Sequence, residues 1–268
     1  MTSSSASAPA PGRPLFLLSN DDGVHSEGLH RALAALAGAG DVAVCAPESE
    51  QSAVSHSLSL HTPRRLRRLD AAGSSAPIPG TTVFAVDGTP ADCVYVALHA
   101  GARVLARRPD VIVSGINRGL NLGQDAFYSG TIAAAREGAL RGIPGLAVSA
   151  EVGADLDAVA ALTTRIALQL VGTDRRLLSL NVPRVWNGEV RAARLGTRIY
   201  EETIDFRRDP RGREYLWIGG PGVSHASDPG SDTDAFDAGA ATLTSLLLDL
   251  TREGDPLLGE IARTVVSS

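Results

Sequence analysis

Two adjacent carboxylates, Asp21 and Asp22, follow the apolar run Leu15-Phe16-Leu17-Leu18-Ser19 and stand inside Asn20-Asp21-Asp22-Gly23. The apolar run reads as a buried strand, and an alanine-rich helical pattern begins shortly after it. Both aspartates then sit at the C-terminal tip of a strand, where open α/β sheets bind ligands. Paired carboxylates with water on one side only repel each other, and they are costly unless a cation neutralises them. Hard oxygen ligands of this kind suit Mg²⁺ or Mn²⁺ and do not suit zinc. Taken alone, Asp-Asp-Gly also reads as a polar turn whose Asp caps the next helix. The rest of the chain weighs against that.

Three further segments carry polar groups toward the same rim. The loop Ala46-Pro47-Glu48-Ser49-Glu50-Gln51-Ser52-Ala53-Val54-Ser55-His56-Ser57 is rich in hydroxyls and too long for a minimal strand-to-helix turn. In Ser114–Gly123, glycines recur at 115, 119 and 123 with Asn117 and Asn121 between them. Glycine admits an anion close to backbone N–H groups, and Asn offers a carbonyl oxygen to a metal or an N–H to a phosphate. The spacing is not that of a dinucleotide-binding turn. Tyr128-Ser129-Gly130-Thr131 precedes the helical run Ile132–Leu140, so Ser129 or Thr131 caps a helix whose N-terminus also suits a phosphate. Asp87-Gly88-Thr89-Pro90-Ala91-Asp92, in contrast, reads as a tight turn and helix cap with a structural role.

These segments need a sheet to hold them. Strand patterns occur at Leu15–Ser19, Asp41–Cys45, Thr82–Val86, Asp110–Ser114, Gly145–Ser149 and Leu177–Asn181. Helical patterns lie at Gly28–Leu36, Ala91–Leu105, Ile132–Arg141 and Leu156–Val171. The alternation predicts an α/β fold, a mostly parallel sheet with helices on both faces. After Pro183 the pattern turns to short strands at Val190–Leu195, Ile199–Phe206 and Glu214–Ile218, with Asp209-Pro210-Arg211-Gly212 as a hairpin turn. The apolar run Ala241–Leu250 and an amphipathic helix near Pro256–Val265 follow. The expected organisation is a tail at 1–13, a catalytic core at 14–184 and an antiparallel extension at 185–268.

Composition narrows the function. The chain has 268 residues and a formal charge of −5, with a pI of about 5.7, so a broad basic face for nucleic-acid polymers is not expected. The run Arg64-Arg65-Leu66-Arg67-Arg68 reads as a solvated loop or strand edge. The chain contains no lysine, which removes Schiff-base chemistry, the P-loop lysine and the lysine partner of a phospho-aspartate. Cys45 and Cys93 lack metal or redox spacing and read as buried free thiols, as in a cytoplasmic protein. No apolar run reaches the ~20 residues that span a bilayer. Met1–Arg13 is rich in Ser, Ala, Pro and Gly and reads as a disordered tail, not as a signal peptide.

The ordered motifs resemble the SurE family of nucleotidases. The resemblance rests on Ser19–Gly23, Gln51–Ser55, Gly88–Val94, Ser114–Asn117 through Gly123, Tyr128–Thr131, Asn181-Val182-Pro183 and Asp232-Thr233-Asp234. It implies a Rossmann-like core whose C-terminal extension is exchanged between subunits of a homodimer or homotetramer. It also implies a phosphomonoesterase for nucleoside 5′- and 3′-monophosphates that uses one divalent metal ion per subunit, with short polyphosphate as a further substrate in some members. By position, Asp21, Asp22, Ser52 and Asn117 match the metal ligands, with Asp21 and Asp22 catalytic. Asn20, Ser55, Asn121, Ser129, Gly130 and Thr131 match the phosphate pocket. The chain departs from the family at Ala53, where Gly is usual, and at Gln51, where Arg is often found. If the backbone at position 53 needs positive φ, Ala costs about 1 kcal/mol or more.

Two other classes compete with this one. In an aspartyl-phosphate phosphatase, Asp21 or Asp22 would be the nucleophile, but that class generally uses Asp-x-Asp spacing and a lysine. A non-catalytic nucleotide-binding module is permitted by the fold, yet two carboxylates without a cation would hinder binding of a phosphate.

Overall fold

The computed structural model describes residues 12–69, 81–201, 204–219 and 222–266. The first strand, β1 (Leu15–Ser19), is buried along its whole length. Phe16 and Leu18 join one hydrophobic cluster while Leu15 and Leu17 join another. With a side-chain period of two, such a strand needs cover on both faces.

The elements that follow supply it. They are α1 (Glu27–Ala39), β2 (Asp41–Pro47), β3 (Leu66–Arg68), β4 (Thr81–Val86), α2 (Pro90–His99), β5 (Val111–Arg118), α3 (Gly130–Ala139), β6 (Gly145–Ala150), α4 (Leu156–Leu170) and β7 (Leu177–Val182). Leu29, Leu33 and Leu36 of α1 and Val159, Leu162 and Leu170 of α4 cover one face. Cys93, Val94 and Ala97 of α2 and Ala134 of α3 cover the other.

Beyond residue 184 lie β8 (Val190–Ala193), β9 (Arg198–Tyr200), β10 (Ile204–Arg208), β11 (Glu214–Ile218), β12 (Val223–His225), α5 (Asp232–Asp237), β13 (Ala241–Ser245) and α6 (Pro256–Val266). The main sheet has the order β3-β4-β2-β1-β5-β6-β7-β13-β8. Strands β4, β2, β1, β5, β6 and β7 are parallel. From β1 the chain winds outward through β2 and β4, then crosses back to β5 on the other side. The order therefore reverses between β1 and β5, and the crevice at a reversal is where this kind of sheet binds ligands.

The sequence patterns locate the core elements to within a few residues, with informative differences. The helical pattern Ala91–Leu105 stops at His99 because Gly101 (φ +58°) turns the chain into a short 3₁₀ segment. Strand β5 continues past Ser114 to Arg118 through a register shift. Gly115 lies there at φ +136°, and a Cβ at that position would run into the carbonyl of Val148. The arginine run forms the exposed edge strand β3, antiparallel to β4, as a strand edge was expected to do.

The extension is less separate from the core than a boundary at 184 implies. β13 pairs antiparallel with β7, and β8 pairs with β13, so two late strands complete the main sheet. Without them β7 would present an open edge. The apolar run Ala241–Leu250 is a strand only to Ser245; Leu246 and Leu248 pack on a third buried cluster, and Leu247 is exposed. Residues 1–11 of the expected tail lie outside the described residues. Arg13 is tied down, its guanidinium donating to the carbonyls of Ala37 and Gly40. Among the described residues no helix is long and apolar enough to cross a membrane.

Candidate active site

The reversal point carries both aspartates. Asp21 is 7% exposed and sits against the N-terminus of α3, where Thr131 Oγ1 donates to Oδ1 at 2.6 Å and the Thr131 backbone N–H donates to Oδ2 at 3.2 Å. Its carboxylate thus occupies the anion position at a helix N-terminus. Gly130 permits this approach, because a Cβ there would lie 3.0 Å from the Asp21 Cβ. Asp22 is half-buried, and the backbone N–H of Arg118, at the end of β5, donates to its Oδ2 at 3.0 Å. Neither aspartate caps α1; Ser26 does, accepting from the Leu29 N–H.

Burial pushes the Asp21 carboxyl up to about 6, the Thr131 hydroxyl opposing the shift and the Asp22 charge adding to it. Burial raises the Asp22 carboxyl as well; the Arg118 N–H opposes this and the Glu50 charge adds to it. Two adjacent carboxylates that both resist ionisation form a site that a cation would relieve.

Ser52 and Asn117 meet this pair at a ridge between two clefts. The larger cleft, about 940 Å³, is lined by Asp22, Ser52, Asn117 and Arg118 among others. The smaller, about 480 Å³, is lined by Asp21, Ser52, Asn117, Arg118, Asn121 and Ser129 among others. Asn117 donates from its Nδ2 to the Gly119 carbonyl at 3.0 Å, which directs its amide nitrogen into the loop. Ser52 is exposed, and its hydroxyl donates to Glu50 Oε1 at 2.6 Å. Among the described residues there is no group of three or more His, Cys, Asp or Glu arranged for a metal. Two carboxylates, one hydroxyl and one amide oxygen make instead an all-oxygen donor set of the kind Mg²⁺ and Mn²⁺ accept.

The predicted phosphate residues divide into two groups. Asn121 and Ser129 line the smaller cleft. Asn121 is held by a buried lattice: its Nδ2 donates to Ser149 Oγ at 2.8 Å and its backbone N–H to Asn181 Oδ1 at 2.8 Å. Ser129 is the N-cap of α3, its hydroxyl accepting from the Ile132 N–H. Ser55 is turned away, with its hydroxyl on the Phe127 carbonyl at 2.5 Å. Thr131 has no exposed surface, and both its donors are spent on Asp21. Asn20 likewise has no exposed surface. Its amide donates to the Gly23 carbonyl at 2.9 Å and to Ser26 Oγ at 2.7 Å, so it braces the turn that presents the aspartates. The N–H groups of Gly119 and Gly123 are also committed, to the Ala150 carbonyl and to Asp232. At these two glycines the recurrence serves the loop and not an anion. Ala53 does adopt φ +53°, and Ser55 follows at +55°, so the departure from Gly carries the expected strain.

Comparison with known proteins shows the family. Residues 16–202 match the family model described as Survival protein SurE. The chain belongs to the SurE family. It is 60% identical over 245 residues to a protein of Sorangium cellulosum (strain So ce56) named 5′-nucleotidase SurE, covering 89% of this chain and 91% of that one. A protein of the same name from Geotalea daltonii is 42% identical over 246 residues, covering 88% of this chain and 94% of that one. The crystal structure of the SurE protein from Aquifex aeolicus superposes with a TM-score of 0.73 at 30% identity, covering 95% of this chain and all of that one.

Two groups of this SurE chain border the site without having been singled out in the sequence. Arg118 lines both clefts and supports Asp22 through its backbone; its signal was a single cation in a Gly/Asn motif. Tyr200 arrives from β9 to line the smaller cleft, its hydroxyl donating to Asp125 Oδ1 at 2.5 Å while Arg198 pairs with the same carboxylate. No local signal announces a side chain brought in from so far along the chain. The SurE motif Asp232-Thr233-Asp234 explains how the late segment is locked on. Asp232 is fully buried and accepts from the N–H groups of Gly123 (3.0 Å) and Gly196 (2.7 Å). Asp232→Ala should strand both N–H groups at about 1–3 kcal/mol each. A loss of several kcal/mol in urea denaturation is expected, and a change below about 1 kcal/mol would contradict that role.

Proposed function

We propose that this chain is a divalent-metal-dependent 5′-nucleotidase that hydrolyses nucleoside 5′- and 3′-monophosphates to nucleoside and phosphate, with short-chain polyphosphate as a secondary substrate. The observation that carries the reading is the convergence of Asp21, Asp22, Ser52 and Asn117 on one ridge at the reversal point of the sheet. The names of the relatives support the nucleotide class.

Asp21, Asp22, Ser52 and Asn117 hold one Mg²⁺ or Mn²⁺ per subunit. When bound, the cation neutralises charge on the transferring phosphoryl group and acidifies water. Asn121 and Ser129 orient the phosphate in the smaller cleft, and Arg118 at its mouth attracts the anion. Thr131 and the Arg118 N–H hold the two carboxylates in place, so the site needs no reorganisation as charge develops. An aspartyl-phosphate route is disfavoured, because both Asp21 oxygens already accept hydrogen bonds and the chain lacks lysine. A panel of nucleoside mono-, di- and triphosphates and short polyphosphate, each with Mg²⁺ and with Mn²⁺, tests the assignment. Monophosphates should turn over fastest, and absence of metal-dependent release of phosphate from any of them would overturn it.

The two asparagines have separate jobs. Asn117→Ala should weaken metal binding by about tenfold or more, with added Mn²⁺ partly restoring the rate. Asn121→Ala should lower turnover with little metal rescue. Superimposable Mn²⁺ titrations for the two variants would remove the distinction.

The protein works as a homodimer or a homotetramer in the cytoplasm, the latter in keeping with two buried free thiols. The hairpin β10–β11 exposes Ile204, Phe206, Trp217 and Ile218, and a lone two-stranded hairpin is marginal in water. Exchanged onto a second subunit, it gains the cover it lacks. Light scattering at low micromolar concentration should show no stable monomer; a monodisperse active monomer would rule the exchange out as a requirement.

A further inference from the structure

We propose that His56 and Glu137 form a positioning clamp that holds Ser52 at the metal site, an inference that rests on Ser52 being a metal ligand. The loop after β2 must present Ser52 beside Asp21 and Asp22, yet Ser52 itself makes no bond to the body of the protein: its hydroxyl goes to Glu50 in the same loop. The next residues are held in an unfavourable form, with left-handed φ at two non-glycine positions, Ala53 and Ser55. Such a backbone persists only where the surroundings over-determine it. Before Ser52 the loop is pinned by the Gln51 N–H, which donates to the Asp21 carbonyl at 2.8 Å. After it, Ser55 bonds the carbonyls of Phe127 and Tyr128, and His56 Nε2 lies 2.7 Å from Glu137 Oε2.

Glu137 is the feature that singles out this last tether. Its side chain is 2% exposed and its Oε1 lies 2.6 Å from Nη1 of Arg141, just past the end of α3, while Oε2 faces the loop. A buried carboxylate without a partner is costly, and here a histidine from the Ser52 loop, not from the core, supplies the partner of Oε2. An ionised carboxylate only accepts, so Nε2 carries the proton. Glu137 also stands on α3, the helix whose Thr131 grips Asp21. Six residues of helix, about 9 Å, therefore fix the spacing between the tether of Asp21 and the tether of the Ser52 loop. The phosphoryl-transfer chemistry makes no use of Glu137, and the N-terminus of α3 is capped by Ser129.

The test compares His56→Ala, His56→Gln and Ser52→Ala. Calorimetric Mn²⁺ titration of the metal-free protein is the primary readout, with kcat and KM for a nucleoside 5′-monophosphate at saturating Mn²⁺ alongside. H56A should raise the Kd for Mn²⁺ about tenfold while kcat at saturating metal stays within about threefold. H56Q places an amide N–H close to where Nε2 stands, so it keeps a donor for Glu137 Oε2 and should recover most of the affinity. A merely structural pair would lower the melting temperature and leave the Mn²⁺ Kd unchanged, which would overturn the clamp. S52A separates the two levels. If it leaves Mn²⁺ binding unchanged, the ligand reading fails and the clamp falls with it; if it weakens binding and H56A does not, the clamp alone fails. Should H56A not fold, Glu137→Leu, which removes the acceptor, carries the test: a Kd raised several-fold beside a near-normal H56Q supports the clamp, and a Kd equal to the parent's overturns it.

Discussion

Asp21→Asn should remove activity and at the same time make the metal-free protein more stable. The carboxyl of Asp21 is raised from 3.8 to about 6 because burial disfavours its charged form. A carboxylate raised in the folded state opposes folding once it is ionised. Its cost is fully present above pH 6, fades as pH falls, and is gone below the unfolded value near 4. A displacement of that size corresponds to about 3 kcal/mol at most. The amide recovers less than this, since it replaces the two charge-assisted hydrogen bonds from Thr131 with neutral ones. Thermal melts at pH 7.5 in chelator should therefore place the variant above the parent, with the gap closing toward pH 4. Turnover should fall at least about a hundredfold, the scale on which one fixed electrostatic partner of a transition state counts. Asp22→Asn should lose turnover to a similar degree with a smaller gain in stability, because Asp22 is only half-buried. Near-normal kcat in either variant at saturating metal would defeat the assignment of the carboxylate pair.

Chelation should reduce hydrolysis of a nucleoside monophosphate by about a thousandfold or more, and Mg²⁺ or Mn²⁺ should restore it. The affinity behind this effect should depend on pH in a defined direction. Both carboxylates bind protons more tightly than ordinary aspartates, so a metal ion must displace them at mildly acid pH. Above pH 6 the Mn²⁺ Kd should be nearly flat. Below it, the Kd should rise by up to about tenfold per pH unit for each proton displaced. Calorimetry between pH 5 and 7.5 in buffers of different ionisation enthalpy would register both the Kd and the proton release. An affinity that stays constant down to pH 5 would show that the pair is not strained by burial.

A stability–function conflict of this kind is what a site built on buried like charges should exhibit. Every group supporting the aspartates is itself tightly held. Asn20 is locked to Gly23 and Ser26, Thr131 to Asp21, and the β5 terminus to Asp22. The exception is the loop with Ser52, where strain at Ala53 and Ser55 is balanced by tethers from outside the loop.

The alternation of apolar runs and amphipathic segments determined the parallel core by itself, because residues buried on both faces of β1 leave no alternative to a sheet covered on both sides. The same logic placed Asp21, Asp22, Ser52 and Asn117 at one rim, since strand C-termini in right-handed crossovers share an edge. What one-dimensional patterns do not carry is the direction in which a polar side chain points. Asn20 and Thr131 lie within the right motifs, yet their amide and hydroxyl groups serve the aspartates beside them, and only packing decides that. Nor does local pattern report contacts far apart in the chain. The pairing of β13 with β7, the Asp232 latch on Gly123 and the approach of Tyr200 to Asp125 each join segments 60 or more residues apart. Those contacts follow from which edge of the sheet is open and which N–H groups are buried, and both exist only once the chain has folded.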